Sequence, residues 1–172
     1  MKVREHAHWH VDIILRKYKE DIAPFKKAGL EFLFFNMYKP YEVIKRRKNV
    51  LLNEGINAMW TLICGGSETA FNAANARIGV GNDATAAAAA QTGLLGGANT
   101  AYGAMDSSYP TYGTSQKATF QASFTDAIAN FQWNEWSVDN GTSANKNMNR
   151  KVENLGTKTG GTWTLQVAIT IS

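Results

Sequence analysis

Alternation of apolar and polar residues dominates the second half of the chain. The runs ATFQASF, NFQWNEWSV and GTWTLQVAITIS change polarity at nearly every step, and Gly-, Asn- and Thr-rich breaks separate them. A period of two sends successive side chains to opposite faces, so each run predicts a half-buried strand of an antiparallel sheet. The predicted strands are Ala118–Phe124, Phe131–Asp139, Met148–Val152 and Thr162–Ile171, with Asn140-Gly141 as a hairpin-type turn. Within 131–138, Phe131, Trp133, Glu135 and Ser137 fall on one face, and Gln132, Asn134, Trp136 and Val138 on the other. Both faces are mixed, which predicts cover on both sides, supplied by neighbouring subunits.

The same period opens the chain. From His6 to Tyr18, the histidines His6, His8 and His10 share one face, while Trp9, Val11 and Ile13 share the other. A second extended segment, Tyr41 to Leu52, is expected to pair with it. Between them, residues 19–40 are rich in Phe. Phe25, Leu33 and Met37 stand at roughly helical spacing after Pro24, yet Phe32 to Tyr38 fits a strand equally well. Either an arm docks there on a partner, or a helix covers one end of the sandwich.

Asn53 reads as the N-cap of a helix, with Leu52, Ile56, Met59, Trp60 and Ile63 forming an apolar stripe and Gly65-Gly66 ending it. That stripe predicts packing against the sheet. From 67 to 113 the residues become small and polar. Ala76–Gly81 is expected as a strand, and the Ala-rich DATAAAAAQTGLLGG as a loop with one or two turns. Tyr102, Tyr109 and Tyr112 suit either a stacking surface or the sandwich edge. The fold class is mainly β: one antiparallel, jelly-roll-like β-sandwich over 1–172, with 19–40 as an inserted arm and 53–65 as a packing helix.

Composition narrows the classes. A chain of 172 residues that is 44% hydrophobic can bury a core. Its single cysteine, Cys64, excludes an intramolecular disulfide framework. The apolar run Leu30 to Phe35 is far shorter than the roughly 20 residues of a membrane span, so no membrane partner is expected. Histidines occupy the place of a leader's apolar core in MKVREHAHWH, which predicts folding in a cytosol. Residues 1–50 carry 12 Lys/Arg against 6 Asp/Glu (+6), and residues 51–172 carry 6 against 8 (−2). The basic character concentrates in Lys45, Arg46, Arg47 and Lys48. Such a run suits an acidic surface, or simply solvates a strand end. Direct nucleic-acid contact is not expected.

Motifs for phosphate, zinc-protease, nucleophile-elbow or EF-hand chemistry are absent. Gly79-Val80-Gly81-Asn82-Asp83 has the look of a phosphate-cradling loop but lacks a third glycine and a following helix. The acidic residues after position 50 are dispersed, so no carboxylate pair can be nominated for acid–base work. No cofactor is expected. His6, His8 and His10 are the only metal-like pattern; solvent-facing histidines are the plainer reading.

The succession Asn49 to Trp60 (NVLLNEGINAMW), RIGVGNDATAAAAAQTGLLG, AMDSSYPTY, ATFQASF, ANFQWNEWSV and NRKVENLGTKTGGTWTLQVAITIS resembles a family of small tailed-bacteriophage virion proteins. The resemblance spans about 49–172 and the HWHVDI opening. It departs in 19–40, where a short turn is expected, and at Ser137-Val138-Asp139, where a more apolar stretch is expected. It implies a non-enzymatic subunit assembled in the host cytoplasm onto a virion. The first expectation is a capsid decoration (cement) protein, a homotrimer that binds the major capsid protein on the outer face of the head. Contacts would come from Phe25, Phe32, Phe34, Phe35, Tyr38, Lys45, Arg46, Arg47 and Lys48. The alternative is a neck, collar or tail-fibre connector. A third is a carbohydrate or receptor binder that stacks sugars on Tyr102, Tyr109, Tyr112, Trp133 and Trp136.

Overall fold

In strand β1 (Trp9–Tyr18) the alternation holds as expected: Val11, Ile13 and Leu15 are buried, while His10 and Asp12 are exposed. The strand pairs antiparallel with β2 (Glu42–Arg47), from Asp12 opposite Arg47 to Lys17 opposite Glu42. On its other side it pairs with β10 (Thr162–Ile171) along its whole length. β7 (Lys117–Phe124) follows β10, and β6 (Thr111–Thr114) forms the far edge, so the sheet has five strands in the order β2-β1-β10-β7-β6. A second five-stranded sheet runs β3 (Val50–Leu51), β9 (Asn149–Thr157), β8 (Gln132–Asp139), β4 (Arg77–Gly81) and β5 (Thr100–Ala104), again antiparallel. This computed structural model describes residues 8–141 and 145–172.

The inner faces share one core. Ile13, Leu15, Phe120, Leu165 and Val167 come from the first sheet, and Ile78, Val80, Trp136 and Val138 from the second. The Trp133 ring meets Phe124 and Trp163 edge to face, at 4.8 and 4.9 Å between centroids. The fold is therefore mainly β, an antiparallel sandwich.

Several expectations change. The extended segment from Tyr41 to Leu52 is two strands, because at Lys48 the backbone turns left-handed (φ 70°) and the chain leaves the first sheet for the second. Trp133 does not share a face with Glu135. The β8–β9 register shifts between these two residues, so Trp133 and Trp136, three apart, both enter the core. The outer side of β8 is covered by the chain itself rather than by a neighbour, through the loop 82–99.

The helix stripe holds only in part: Leu52 is fully buried and Ile56 and Met59 are half-buried, whereas Trp60 and Ile63 face solvent. In α3 (Asn53–Ile63), Leu52 stands at the N-cap position without a side-chain cap bond, and the residues facing inward are Gly55 and Ala58. Trp60 is 61% and Ile63 72% exposed. The helix lies directly on the backbone of Met148: a Cβ at Gly55 would sit 2.6 Å from the Met148 carbonyl oxygen. So close an approach admits only small side chains.

Residues 19–40 form two short helices, α1 (Ala23–Lys27) and α2 (Glu31–Met37), with Pro24 in the first turn of α1, where a missing N–H leaves no bond unmade. They enclose a second, small core of Tyr18, Ile22 and Phe34, edged by Phe25, Phe35 and Tyr38. The segment is no free arm. Ile22 N–H donates to Thr162 Oγ1 (2.8 Å), and the Lys26 ammonium meets Asp106 at 2.7 Å, so α1 is fastened to the outer face of the first sheet.

Candidate interaction site

Among the described residues β2 ends the first sheet and pairs only with β1. Except for half-buried Ile44, all its residues are exposed. The strand is clamped at its start, where Lys17 Nζ lies 2.9 Å from Glu42 and 4.2 Å above the Trp163 ring. Towards its end, Arg47 meets Asp12 at 3.0 Å and Arg46 lies 3.6 Å from Glu153. Arg47 is 86% exposed, so solvent screens its pair and leaves the charge on display. Lys45 and Lys48 are exposed beside them. A strand edge with a basic run is an incomplete sheet: its outward N–H and C=O groups have no partner strand among the described residues, while the cations repel a second copy of the same edge. Its chemistry suits an acidic extended segment.

The insert offers less than the sequence predicts. Phe34 is fully buried and can touch no partner, because it is the centre of the small core, with Tyr18, Phe25 and Tyr38 rings 5.1, 5.6 and 5.2 Å away. Phe25, Phe35 and Tyr38 are half-buried around it. Phe32 alone of the nominated phenylalanines stands in solvent, 58% exposed. Met37, Tyr41 and Val43 are also exposed there, and sequence reasoning does not find them. Their surroundings depend on where the insert turns back into β2, which no local pattern reveals.

His6 lies outside the described residues. The His8 and His10 rings stack 6.1 Å apart at an exposed position. Among the described residues no group of three or more His, Cys, Asp or Glu side chains could hold a metal ion.

The most concentrated charge is structural. Arg150, wholly buried, donates through Nε to Glu135 (2.7 Å), through Nη2 to Asp83 (3.0 Å), and through Nη1 to Thr85 O (2.9 Å) and Gln91 Oε1 (3.0 Å). Glu135 accepts in turn from the N–H groups of Leu95 and Gly96. These bonds rivet the loop 82–99 to the outer face of the second sheet. They also account for the glycine at 81: a Cβ there would collide with the Glu135 carboxylate, so the apparent phosphate loop is room for a glutamate. The Thr85 backbone N–H, bonded to Asp83, holds its carboxyl below the usual range; Arg150 acts in the same direction.

The three tyrosines are divided between the sheets. Tyr102 lies on β5 under the Arg77 guanidinium (4.4 Å), and burial pushes its phenol up. Tyr109 Oη accepts from Gln166 Nε2 (3.0 Å), and Tyr112, on β6, is 75% exposed. Trp133 and Trp136 are fully buried and cannot stack on a sugar. Among the described residues no helix is long and apolar enough to cross a membrane. No known family model, curated protein or solved structure matches the chain.

Proposed function

We propose that this protein is a non-enzymatic structural subunit of a tailed-phage particle, a capsid decoration protein that docks on the head through its basic edge strand. The observation that carries the reading is β2, a clamped strand with an open hydrogen-bonding edge and a run of exposed cations. An acidic extended segment of a capsid protein would complete the sheet by strand addition, with main-chain bonds giving affinity and Lys45, Arg46, Arg47 and Lys48 giving charge complementarity. Phe32, Met37, Tyr41 and Val43 would supply apolar contact beside it. Repetition over many copies would turn modest contacts into shell stability. Self-association as a homotrimer belongs to the same reading, and the exposed Trp60 and Ile63 of α3 support a contact between subunits.

Gold-labelled antibody against the protein, applied to intact particles, tests the proposal. Label spread over the head is the expected result. Label restricted to the neck or tail would transfer the same docking chemistry to a connector, and unlabelled particles would overturn the virion reading.

A further inference from the structure

The outer face of the first sheet carries an ordered row of polar groups under the insert. Along it, Arg16, Thr164 and Ser123 stand across β1, β10 and β7, and Gln166 and Gln121 stand in the next rung. Ser123 and Thr164 hydroxyls lie 2.8 Å apart, and Gln166 Nε2 donates both to Gln121 Oε1 (3.1 Å) and to Tyr109 Oη (3.0 Å). Buried Asp106 ties the rungs together: it accepts from Gln121 Nε2, the Ser123 N–H and Ser123 Oγ, and it meets Lys26 of α1. Side chains fixed in this way keep their orientation without a ligand.

A cleft of about 420 Å³ opens between this floor and α2, within the size range of small-ligand sites. Phe32, Phe35 and Tyr18 form its aromatic wall, and Arg16, Glu31 and Tyr109 reach into it from the rim. Several groups have capacity left. Both Gln166 amide hydrogens are used, but its Oε1 has no partner among the described residues. The Tyr109 hydroxyl accepts one bond and retains its proton to donate. The side chains of Arg16 and Glu31 make no hydrogen bond or ion pair among the described residues. Donors and acceptors are thus interleaved beside an apolar ring face. Among the described residues the cleft lining carries one cation and one anion outside any ion pair, and Lys26 neutralises Asp106.

We propose that this cleft binds a neutral saccharide, with the ring face of the sugar against Phe32 and its hydroxyls read by Gln166, Tyr109 and Arg16. Sugar hydroxyls are donor and acceptor at once, and the axial hydrogens of a pyranose make an apolar face. The wall and floor supply the complement of each. With one cation and one anion in its lining and Asp106 neutralised by Lys26, the cleft offers no excess of either sign to hold a singly charged ligand. The site shares only Tyr109 with the tyrosine–tryptophan set suggested by the sequence, and it does not depend on where the protein sits on a particle.

The full chain applied to an array of neutral, N-acetylated and uronic-acid oligosaccharides tests this. Binding to neutral or N-acetylated glycans is expected, falling about ten-fold or more in Phe32→Ala and in Tyr109→Phe, the scale of a single hydrogen bond or stacked ring. The melting temperature of Phe32→Ala should stay unchanged, since Phe32 lies outside the small core. Should Phe32→Ala fail to fold, Tyr109→Phe decides alone. No glycan above background, binding indifferent to both changes, or binding confined to uronic acids would each overturn the proposal.

Discussion

The two sheets cover their outer faces by opposite means. On the second sheet the loop 82–99 is fastened by a buried guanidinium and two carboxylates, and the space beside Gly81 is filled by Glu135. On the first sheet the cover is a pair of short helices resting on an aromatic cluster, tied by the ion pair Lys26–Asp106 and the Ile22 N–H bond to Thr162 Oγ1. Ion pairs with several directional bonds leave little freedom and little room. Aromatic rings tolerate adjustment, and here they leave a cleft between cover and sheet. The first sheet also has the free basic edge. The more tightly bonded cover is therefore that of the second sheet, and the open cleft and the basic edge lie on and beside the first.

Removing the rivet should have the largest effect. Arg150→Met strands the buried Glu135 carboxylate with only backbone donors, an uncompensated charge that costs about 3–5 kcal/mol. Denaturant unfolding should show that drop, with faster amide exchange across 82–99. A variant as stable as the parent would mean that this cover is no firmer than the other. Phe34→Ala comes next, at about 3 kcal/mol for a deleted core ring. Its effect should stay local, because Phe34 belongs to the satellite core and not to the main one. Exchange should quicken in 22–38 and not in 82–99; equal quickening in both would merge the two covers into one cooperative unit.

How far these regions can be read from sequence follows from their physics. β1 and its pairing with β2 are legible because one face is apolar and the other wet, so Val11, Ile13 and Leu15 announce themselves. α3 is legible at Leu52, Ile56 and Met59 but not at Trp60 and Ile63, because a helix lying on backbone selects Gly55 and Ala58 for the contact and turns the largest side chains of the stripe outward. Trp133 falls on the wrong face because a register shift changes the parity of a strand without any residue signalling it. β5 and β6 escape notice since small and polar residues fill them. The basic run is plain, as charge is visible in a string. The cleft is not: Arg16, Lys26, Asp106, Gln121 and Gln166 come together only through strand pairing and a returning insert. Phe34 shows the remaining limit. Nothing local tells a phenylalanine at the centre of a small core from Phe32, two residues away and solvated.

Acid separates the covers more gently. Asp83 has a folded-state pKa below its unfolded value of about 3.9. Its carboxylate therefore stabilises the fold fully above that unfolded value, and the contribution disappears as pH falls through the lower folded one. Asp83→Asn should flatten the acid limb of stability below about pH 4, while stability near pH 7 falls with the loss of the ionic bond to Arg150. An acid limb of unchanged slope would remove Asp83 from the rivet and leave Glu135 to carry it.

The smallest stability effect belongs to the edge, and there it is the most informative. Lys45→Glu with Arg47→Glu changes two exposed side chains, one paired only to the exposed Asp12, so unfolding free energy should move by no more than about 0.5 kcal/mol. Reversal puts acid on an edge proposed to meet acid, and particles should then retain less of the protein, with the deficit greatest at low salt, where charge is least screened. If stability collapsed instead, β2 would be part of the fold's support and the division between a fastened second sheet and an available first sheet would fail. If stability and particle binding both survived, the fold would keep that division, but the edge strand would not be the docking surface.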